Sequence, residues 1–342
     1  MLTPTTPEHF VPRDHPLRDV KRLADEALSE LSEHFDAMYS ARGRRSVPPE
    51  TLLKSTLLMA FFSVRSERQF CQQLGFNLLF KWFLDMNLGD EPFDPTVFTK
   101  NRNRLLDHKV ANLFLARVVE QARSAGLMSA EHFSVDGTLI QAWGSMKSFK
   151  PKDDDDEDSN GFADFKGTKR SNDTHESKTD PDAKLRRKGR GQEAKLSLAG
   201  HALMENRNGL IVDLSLTSAV GVTEPEAALD LLEGNVDRSR ATVGADAGYN
   251  TKKFVAECRE NGITPHVAGK KLHSAIDDRT RRHAGYAASQ KVRKRIEQIF
   301  GWMKTYAGFR KCRLRGLEKN GLLFQMAGAA YNLLRIAKLQ AA

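Results

Sequence analysis

The sequence has few cysteines and no long apolar run, and both shortages exclude classes of protein. Its 342 residues include three cysteines, which are scattered and form no Cys-x-x-Cys pair: Cys71, Cys258 and Cys312. This spacing excludes a cysteine-based zinc site or a disulfide framework and favours a reducing compartment. The most apolar stretch, Leu322–Ala337, is interrupted by polar and charged residues and is too short to span a bilayer. Since no charged segment followed by an apolar one begins the chain, we expect a cytoplasmic protein without a membrane partner.

Positive charge exceeds negative charge, and the excess is concentrated near the carboxyl end. The chain has 53 Lys and Arg residues against 44 Asp and Glu residues, a formal net charge of +9. Between Lys270 and Lys319 there are fifteen basic residues and four acidic ones. A clustered excess of this kind favours a polyanionic partner such as nucleic acid more strongly than the net charge does.

Residues 1–130 predict a helical domain without strands. Apolar residues recur at helical spacing between Leu17 and Met38. The Pro48-Pro49 pair suits the first turn of a second helix, and Ser66-Glu67-Arg68-Gln69 has the form of a capping box. We therefore predict a separate helical domain.

Residues 131–342 predict an α/β domain with a mixed sheet and flanking helices. Three strands come first, and helices then alternate with strands, so a hairpin should extend a sheet that continues through parallel crossovers. The predicted strands are Glu131–Ile140, Lys195–Met204, Leu210–Thr217, Thr242–Ala245 and Thr264–Val267, and the helices are Glu224–Leu232, Lys252–Asn261, Ala287–Tyr306 and Leu322–Leu339. A stretch of about 147–192 is nearly free of large aliphatic residues and contains six consecutive acids, Asp153–Asp158. We predict that this charged insertion is mobile.

Three acidic residues are candidates for a catalytic site. Asp136 lies within the first predicted strand, Asp246 follows the fourth, and Glu297 lies on the long helix Ala287–Tyr306. Carboxylates bind Mg²⁺, and two such ions about 4 Å apart can activate an oxygen nucleophile and stabilise a leaving oxygen in phosphodiester chemistry. Burying an acid among apolar residues is costly unless something pairs with it, which favours a site. Because the chain has 44 acids, a chance grouping is the alternative.

Two basic residues share the helix of Glu297. Arg293 and Lys304 stand four residues before and seven residues after it, which on a continuous helix places all three within about 40° of one face. Basic side chains beside a metal-binding glutamate could hold phosphate oxygens. An ordinary solvated face with salt bridges is the alternative interpretation.

The segments around these acids resemble the DDE transposases of bacterial insertion sequences, in particular the insertion-sequence-five group. Phe133–Thr138 resembles the first-aspartate motif of that family and Val243–Tyr249 resembles the second. Arg293-x3-Glu297-x6-Lys304 is similar to a family signature that begins with a tyrosine, although Gln290 stands at the tyrosine position here. Thr179–Ala183, and Ala194–Leu196 leading to Gly200-His201, resemble the segment between the two aspartates, and residues 44–105 resemble the N-terminal helical domain.

The resemblance implies a ribonuclease-H-like fold, two Mg²⁺ ions for which Mn²⁺ can substitute, and terminal-inverted-repeat DNA as substrate. It also implies that the helical domain, residues 1–130, binds DNA ends or mediates dimerisation. Asp136, Asp246 and Glu297 would then be the catalytic metal ligands, with Arg293 and Lys304 on phosphates. Because two ends must be joined in one event, we expect at least a homodimer on DNA.

Further basic residues are candidates for DNA contacts. Near the carboxyl end, the expected phosphate-tracking surface consists of Arg279, Arg281, Arg282, Lys291, Lys294, Arg295, Arg310, Lys311, Arg313 and Arg315. In the helical domain, the candidates are Lys100, Arg102 and Arg104, for which an ordinary basic helix surface is an equal alternative. His201 and Tyr249 could lie close behind the metal ligands, with a structural histidine as the alternative. Trp143, Trp302 and Tyr249 could stack on a displaced base, although core packing suits Trp302 better.

These features together predict a transposase that nicks DNA at the ends of its element and joins the freed 3′-hydroxyl to target DNA. Two alternatives remain open from the sequence. One is a nuclease of the same fold that cleaves without joining, and the other is a non-catalytic DNA-binding remnant of a transposase.

Overall fold

Helices fill the first third of the chain. The computed structural model describes residues 5–38, 46–152, 170–189, 191–236, 241–270 and 272–341. Within these residues no strand precedes His132, as predicted. The helices of this region are α1 (Leu17–Ser29), α2 (Ser32–Met38), α3 (Pro49–Phe61), α4 (Glu67–Leu74), α5 (Leu78–Phe83), α6 (Thr96–Asp107) and α7 (Val110–Ser124).

Local capping explains where two of the helices begin. The Ser66 hydroxyl accepts a hydrogen bond from the Gln69 amide at 3.3 Å, so the Ser66 half of the predicted capping box of α4 is confirmed. In the second half of the chain, Thr223 and Glu226 form a complete capping box at the start of the helix that follows the third long strand. Each cap supplies an acceptor for an amide that the helix itself leaves without a partner.

The remaining residues form a mixed sheet with helices on both sides. The strands are β1 (His132–Gln141), β2 (Phe149–Pro151), β3 (His175–Ser177), β4 (Lys184–Arg186), β5 (Lys195–Glu205), β6 (Ile211–Ser218), β7 (Thr242–Ala245) and β8 (Thr264–Val267). The helices are α8 (Glu224–Asn235), α9 (Lys252–Glu260), α10 (Asp278–Arg282), α11 (Ala284–Val292), α12 (Ile296–Thr305) and α13 (Leu317–Gln340).

The strand order is that of a ribonuclease-H-like sheet. The larger sheet runs in the order β6-β5-β1-β7-β8, with the short β4 also paired to the start of β5, and β6, β5 and β1 are antiparallel neighbours. β7 then lies parallel to β1, and β8 parallel to β7. The predicted hairpin followed by parallel crossovers is therefore confirmed, and with it the mixed α/β fold class.

Side chains of β1 alternate between two cores. Ile140 belongs to the larger core, which also contains α12, α13 and the N-terminal helices. Phe133 and Val135 point to the opposite side of the sheet and pack with α8 and α9. α13 contacts both β6 and the helices α1, α3 and α7, so the helical region and the sheet share one core. The division into domains at residue 130 stays a prediction. No helix among the described residues is both long and apolar enough to cross a membrane.

Part of the charged insertion has regular structure, and the mobility of 147–192 stays a prediction. β2 pairs with β3, and β4 pairs with the start of β5. Asp180 accepts a hydrogen bond from the Gly316 amide at 3.1 Å, and Asp182 accepts one from the Leu317 amide at 2.8 Å. The positive end of α13 thus contacts this segment, an interaction that the composition of the segment does not reveal. The run Asp153–Asp158 lies outside the described residues.

Candidate active site

One side of β1 is unpaired along the middle of the strand. On one side, β5 pairs with β1 from Phe133 to Gln141. On the other side, β7 pairs only with His132–Ser134, and the next described contact is a bridge from Gln141 to Lys311. No described strand covers residues 135–140 on this side, so the middle of β1 is open where Asp136 lies.

Asp136 and Asp246 come together at this unpaired edge. Asp136 is half-buried in β1, and Asp246 directly follows β7, the neighbouring parallel strand. Asp136 accepts a hydrogen bond from the Gly137 amide at 2.9 Å, and Asp246 accepts one from the Gly248 amide at 2.6 Å. In each case the bond uses one carboxylate oxygen, so the second oxygen remains for a cation.

The electrostatic surroundings of Asp136 are acidic. The pKa of Asp136 is raised to about 6, because burial and the negative charges of Asp246 and Glu224 outweigh the Gly137 hydrogen bond and the charge of Arg293, which lower it. A carboxylate with two acidic neighbours in a half-buried position carries charge that is not balanced within the site. A divalent cation would neutralise that charge.

Glu224 is a member of this group that the sequence did not indicate. It is the first residue of α8, on the side of the sheet opposite to Asp136, and its carboxyl group lies against Gly137. Although the residue is exposed as a whole, burial of this carboxyl group and the charge of Asp246 raise the pKa of Glu224. An acid at the start of a helix looks like an ordinary cap in a sequence, and no signal in the chain distinguishes it.

Gln290 and Arg293 attach the next helices to the strand that carries Asp246. Arg293 donates a hydrogen bond from Nε to Gln290 Oε1 at 2.9 Å. Gln290 in turn donates to the carbonyl of His266 in β8 and lies 3.5 Å from that of Ala245, the residue before Asp246. The glutamine that stands in place of the family tyrosine therefore has a structural role between β7, β8 and Arg293.

The predicted long helix Ala287–Tyr306 is interrupted, and this corrects the argument from spacing. A 3₁₀ turn at Arg293–Arg295 separates α11 from α12. The turn lets Arg293 pack on Gly244 while Ile296 enters the larger core. Because a 3₁₀ turn rotates by a larger angle per residue than an α-helix, the 40° calculated for a continuous α-helix does not apply to Arg293.

Glu297 and Lys304 do share a face of α12. They are seven residues apart in one continuous helix, which returns the side chain to nearly the same direction. Lys304 Nζ donates a hydrogen bond to Thr138 Oγ1 at 2.5 Å, whereas the Glu297 side chain is exposed to solvent. The role of Glu297 stays a prediction.

The aspartates fit a magnesium ion that takes few protein ligands. Mg²⁺ commonly binds one or two carboxylates and completes its shell with water and phosphate oxygens. Across the described ranges, no three His, Cys, Asp or Glu side chains are grouped closely enough to form a ready-made metal site. Asp136 and Asp246 would therefore supply the protein ligands around which water and substrate complete the shell.

The two residues predicted to lie behind the ligands are both buried. His201 is opposite Gly137 in β5, on the side of the sheet away from Asp136, and its Nε2 is 2.9 Å from Thr217 Oγ1. Burial lowers the pKa of His201 to about 4. Tyr249 is 1% exposed and packs on Phe254, so it is not accessible for stacking on a base. Burial and the three acidic side chains nearby raise the pKa of the Tyr249 hydroxyl.

The tryptophans differ in accessibility. Trp302 packs against Tyr306 and Tyr331, in agreement with the packing role that the sequence favoured over base stacking. Trp143 is 40% exposed, and the guanidinium of Arg315 lies 4.3 Å from its ring centre. Of these side chains, Trp143 has a free surface on which a base could stack.

Two of the predicted DNA-binding arginines have partners within the protein, and their contacts with DNA stay predictions. Arg102 is 8% exposed and forms an ion pair with Glu67 of α4. Arg313 donates to the carbonyls of Val64 and Ala307. Both charges are held by the fold because neighbouring elements present acceptors to them, a fact that no linear pattern shows.

The other basic candidates are arranged more openly. Lys100, Lys294, Arg295 and Arg310 are exposed, and Arg104 and Lys311 are partly so. Arg295 also contacts the carbonyls of Asn206 and Arg207, both at 3.3 Å. Exposed cations on both sides of α12 are compatible with a phosphate-binding surface.

Comparisons with known proteins identify the family. Residues 5–104 match a family described as "Transposase domain (DUF772)", and residues 129–333 match one described as "Transposase DDE domain". Among solved structures, a piggyBac transposase synaptic complex with hairpin DNA is 9% identical, with a TM-score of 0.47, over 95% of this chain and 76% of that chain. A pre-cleavage Mos1 transpososome is 9% identical, with a TM-score of 0.21, over 91% and 87%. Since the second family match spans more than half of the sequence, the chain belongs to the transposase DDE domain family.

Proposed function

We propose that this protein is an insertion-sequence transposase, of the insertion-sequence-five group, that nicks DNA at the element ends and joins the 3′-hydroxyl to target DNA. The observation that carries the proposal is the convergence of Asp136 and Asp246 at the open edge of β1. Membership of the transposase DDE family supports it. A remnant without catalytic function would have no reason to keep two acids at a half-buried point where they repel each other.

Asp136 and Asp246 are proposed to hold Mg²⁺, or Mn²⁺ in its place. Two such ions, when bound, would supply positive charge to the attacking and the leaving oxygen of a phosphodiester. Glu297 is proposed as the third ligand because it shares a face of α12 with Lys304, which already contacts β1 two residues beyond Asp136. Its side chain is exposed to solvent, and it is proposed to turn toward the aspartates when the cation binds.

Basic residues around the aspartates are proposed to position the DNA. Arg293 precedes Glu297 in the sequence and is hydrogen-bonded to Gln290, and Lys304 follows it and is hydrogen-bonded to Thr138. Both would bind phosphate oxygens near the scissile bond. Farther from the site, the proposed phosphate contacts are Lys294, Arg295, Arg310 and Lys311, with Lys100 and Arg104 in the helical region. Two element ends must be cleaved and joined together, so we propose at least a homodimer on DNA.

A strand-transfer assay tests the proposal. The full-length protein is incubated with Mg²⁺, a target plasmid and oligonucleotides that carry the inverted repeats flanking its gene. We expect nicked ends and joined products with the wild type, and neither with Asp136→Asn or Asp246→Asn. End binding, measured by a gel-shift assay, should persist in both variants because the substitutions remove charge without changing size.

Other outcomes identify the alternatives. Cleavage without a joined product would indicate a nuclease of the same fold. End binding without cleavage in the wild type would indicate a non-catalytic DNA-binding protein. Cleavage that survives in either Asn variant would show that the active site lies elsewhere.

A further inference from the structure

The connection between α12 and α13 is fixed on the end of β1. The amide of Gln141 donates a hydrogen bond to the carbonyl of Arg310 at 3.2 Å, and its carbonyl accepts one from the amide of Cys312 at 2.7 Å. Lys311, between these two residues, forms the bridge to Gln141 and closes the open edge of β1. Because a strand rises about 3.3 Å per residue, the backbone at Gln141 lies about 17 Å from that at Asp136.

Arg313 holds the same connection against the helical region. Its guanidinium donates to the carbonyl of Val64 at 3.2 Å and to that of Ala307 at 2.5 Å. It thereby links the α3–α4 corner, residues 62–66, to the connection between α12 and α13. Gly308 makes room for this contact, since a Cβ there would lie 2.9 Å from Arg313 Nη2. The α3–α4 corner is therefore held in one place relative to the end of β1.

Arg65 is exposed on this corner and contacts the connection directly. Its guanidinium donates a hydrogen bond to the carbonyl of Lys311 at 3.3 Å. The pKa of Arg313 is lowered to about 10, because burial and the charge of Arg65 outweigh the opposing charge of Glu67. Glu67, the nearest acid in the sequence, forms an ion pair with Arg102. The positive charge of Arg65 is thus left without a matching acid at the corner.

Three cations meet where the corner contacts the end of β1, and we call Arg65, Arg310 and Lys311 the corner cations. Arg65 and Arg310 are exposed, and Lys311 is partly so. None of the three forms an ion pair with an acid that the structure describes. Exposed cations that lie together without acids create a positive potential, which attracts a phosphate backbone.

We propose that the corner cations bind the phosphate backbone of the duplex whose scissile phosphate lies at Asp136. This inference rests on the proposed function, and it adds Arg65, a residue of the helical region, to the DNA-binding surface. Successive phosphates of one strand are about 3.4 Å apart along the helix axis, so a separation of about 17 Å places the contact about five nucleotides from the scissile bond. Arg313 is a positioning residue that keeps Arg65 beside Lys311. Contacts of this kind fix the register of DNA on the protein.

Gel-shift titration of the full-length protein with a duplex that carries the inverted repeat tests the proposal without depending on cleavage. Arg65→Gln should weaken binding about tenfold at low salt, because one charge-assisted contact is lost. The slope of log affinity against log salt concentration should become shallower by about 1, as expected for one lost phosphate contact. Arg123→Gln is the matched control and should bind as the wild type does. Arg123 is an exposed arginine of α7 that lines a cavity with Phe133, at the opposite end of β1.

A duplex with one neutral phosphate locates the contact. A single methylphosphonate is placed at each position in turn on both sides of the cleavage site, and binding by the wild type and by Arg65→Gln is compared. The methylphosphonate about five nucleotides from the scissile bond should weaken binding by the wild type but not by Arg65→Gln. Methylphosphonates at other positions should affect both proteins equally.

A double-mutant cycle tests the positioning role of Arg313. Arg313→Gln should weaken binding of the duplex, and in that background Arg65→Gln should cost less than in the wild type, because Arg65 is no longer held beside Lys311. Arg313→Lys, which retains a donor, should keep part of this coupling. A loss of stability alone would leave the effect of Arg65→Gln unchanged, so additive effects would contradict the positioning role.

Two results would overturn the proposal, and both differ from failure of the proposed function. If Arg65→Gln binds the duplex with the affinity and salt slope of the wild type, Arg65 makes no phosphate contact. If every methylphosphonate affects the wild type and Arg65→Gln equally, the corner cations act only through the general charge of the protein. A wild type that binds DNA through Arg65 but neither cleaves nor joins it would support this inference and contradict the proposed function.

Discussion

Lys304 Nζ donates a hydrogen bond to Thr138 Oγ1 at 2.5 Å, which joins α12 to β1 two residues beyond Asp136. Because alternate residues of a strand point the same way, Thr138 and Asp136 lie on one side of the sheet. Burial and the charge of Lys188 lower the pKa of Lys304, and the charge of Asp136 raises it. The ammonium group thus lies where the charges of both Asp136 and Lys188 act on it.

Removal of the Lys304 charge should slow cleavage more than removal of the Thr138 hydroxyl to which Lys304 donates a hydrogen bond. We expect Lys304→Gln to lower the single-turnover cleavage rate about 10²-fold, the usual effect of losing one group that stabilises the transition state. Thr138→Val leaves the charge in place but loosens it, so its effect should be smaller than about tenfold. Quenched-flow cleavage with saturating protein measures both rates. Lys319→Gln, an exposed lysine of α13, serves as the control, and a wild-type rate in Lys304→Gln would contradict the assignment.

Gly244 lets α11 and the following turn approach β7 closely. A Cβ there would lie 3.3 Å from both Arg293 Cβ and Ser134 Oγ, and 3.4 Å from the Ser289 carbonyl oxygen. With contacts on three sides, one of them backbone, Gly244→Ala should push the helix outward. We expect a loss of about 1–3 kcal/mol in the free energy of unfolding.

The same substitution should slow cleavage about tenfold, since a displacement near 1 Å at a positioning residue such as Arg293 lowers the rate of the reaction. Urea unfolding and single-turnover cleavage are the two measurements. Gly234→Ala is the matched control, because it lies in α8 with no atom within 4 Å of the added Cβ. Equal stability of both variants would show that the contact at Gly244 relaxes freely.

Lys100 and Arg102 are two residues apart on α6 but should behave in opposite ways. Arg102→Ala leaves Glu67 without its partner in a mostly buried place and should destabilise the protein by about 3 kcal/mol. Lys100→Ala removes an exposed charge, so stability should change by less than about 0.5 kcal/mol. End binding should weaken in Lys100→Ala, with a smaller salt dependence. Urea unfolding and gel shifts at two salt concentrations distinguish a structural role from a DNA contact. Unchanged stability in Arg102→Ala would contradict the structural role of Arg102.

The sequence predicted those parts of the fold that follow from local patterns. Strands β5 to β8 alternate or run apolar between clear turns, and the short strands Thr242–Ala245 and Thr264–Val267 were predicted with the bounds that the structure has. The strand order placed Asp136 and Asp246 together, because the neighbouring strands β1 and β7 carry them.

Contacts between distant segments could not be predicted in this way. Glu67 forms an ion pair with Arg102, and the start of α13 donates a hydrogen bond to Asp180, but the two partners of each contact are far apart in the sequence. Glu224 lies beside Asp136 only because Gly137 faces α8. A basic helix and a helix-start acid look alike in a sequence whether they face solvent, DNA or a buried partner.

The pH dependence of stability should reveal that His201 is a neutral residue of the core. Its pKa in the folded protein is lowered to about 4 from an ordinary value of 6.5, because the ring is buried, with Nδ1 lacking a partner among the described residues. Between those pH values the unfolded chain binds the proton more readily, so the stability present above pH 6.5 is lost as the pH falls toward 4. His201→Gln cannot be protonated, so urea unfolding should show a loss between pH 7 and pH 5 that is smaller by up to about 2 kcal/mol. Equal losses of stability in both proteins would show that the ring is solvated. If His201→Gln lowers both the pH dependence of stability and the cleavage rate at neutral pH, His201 acts on the aspartates across β1.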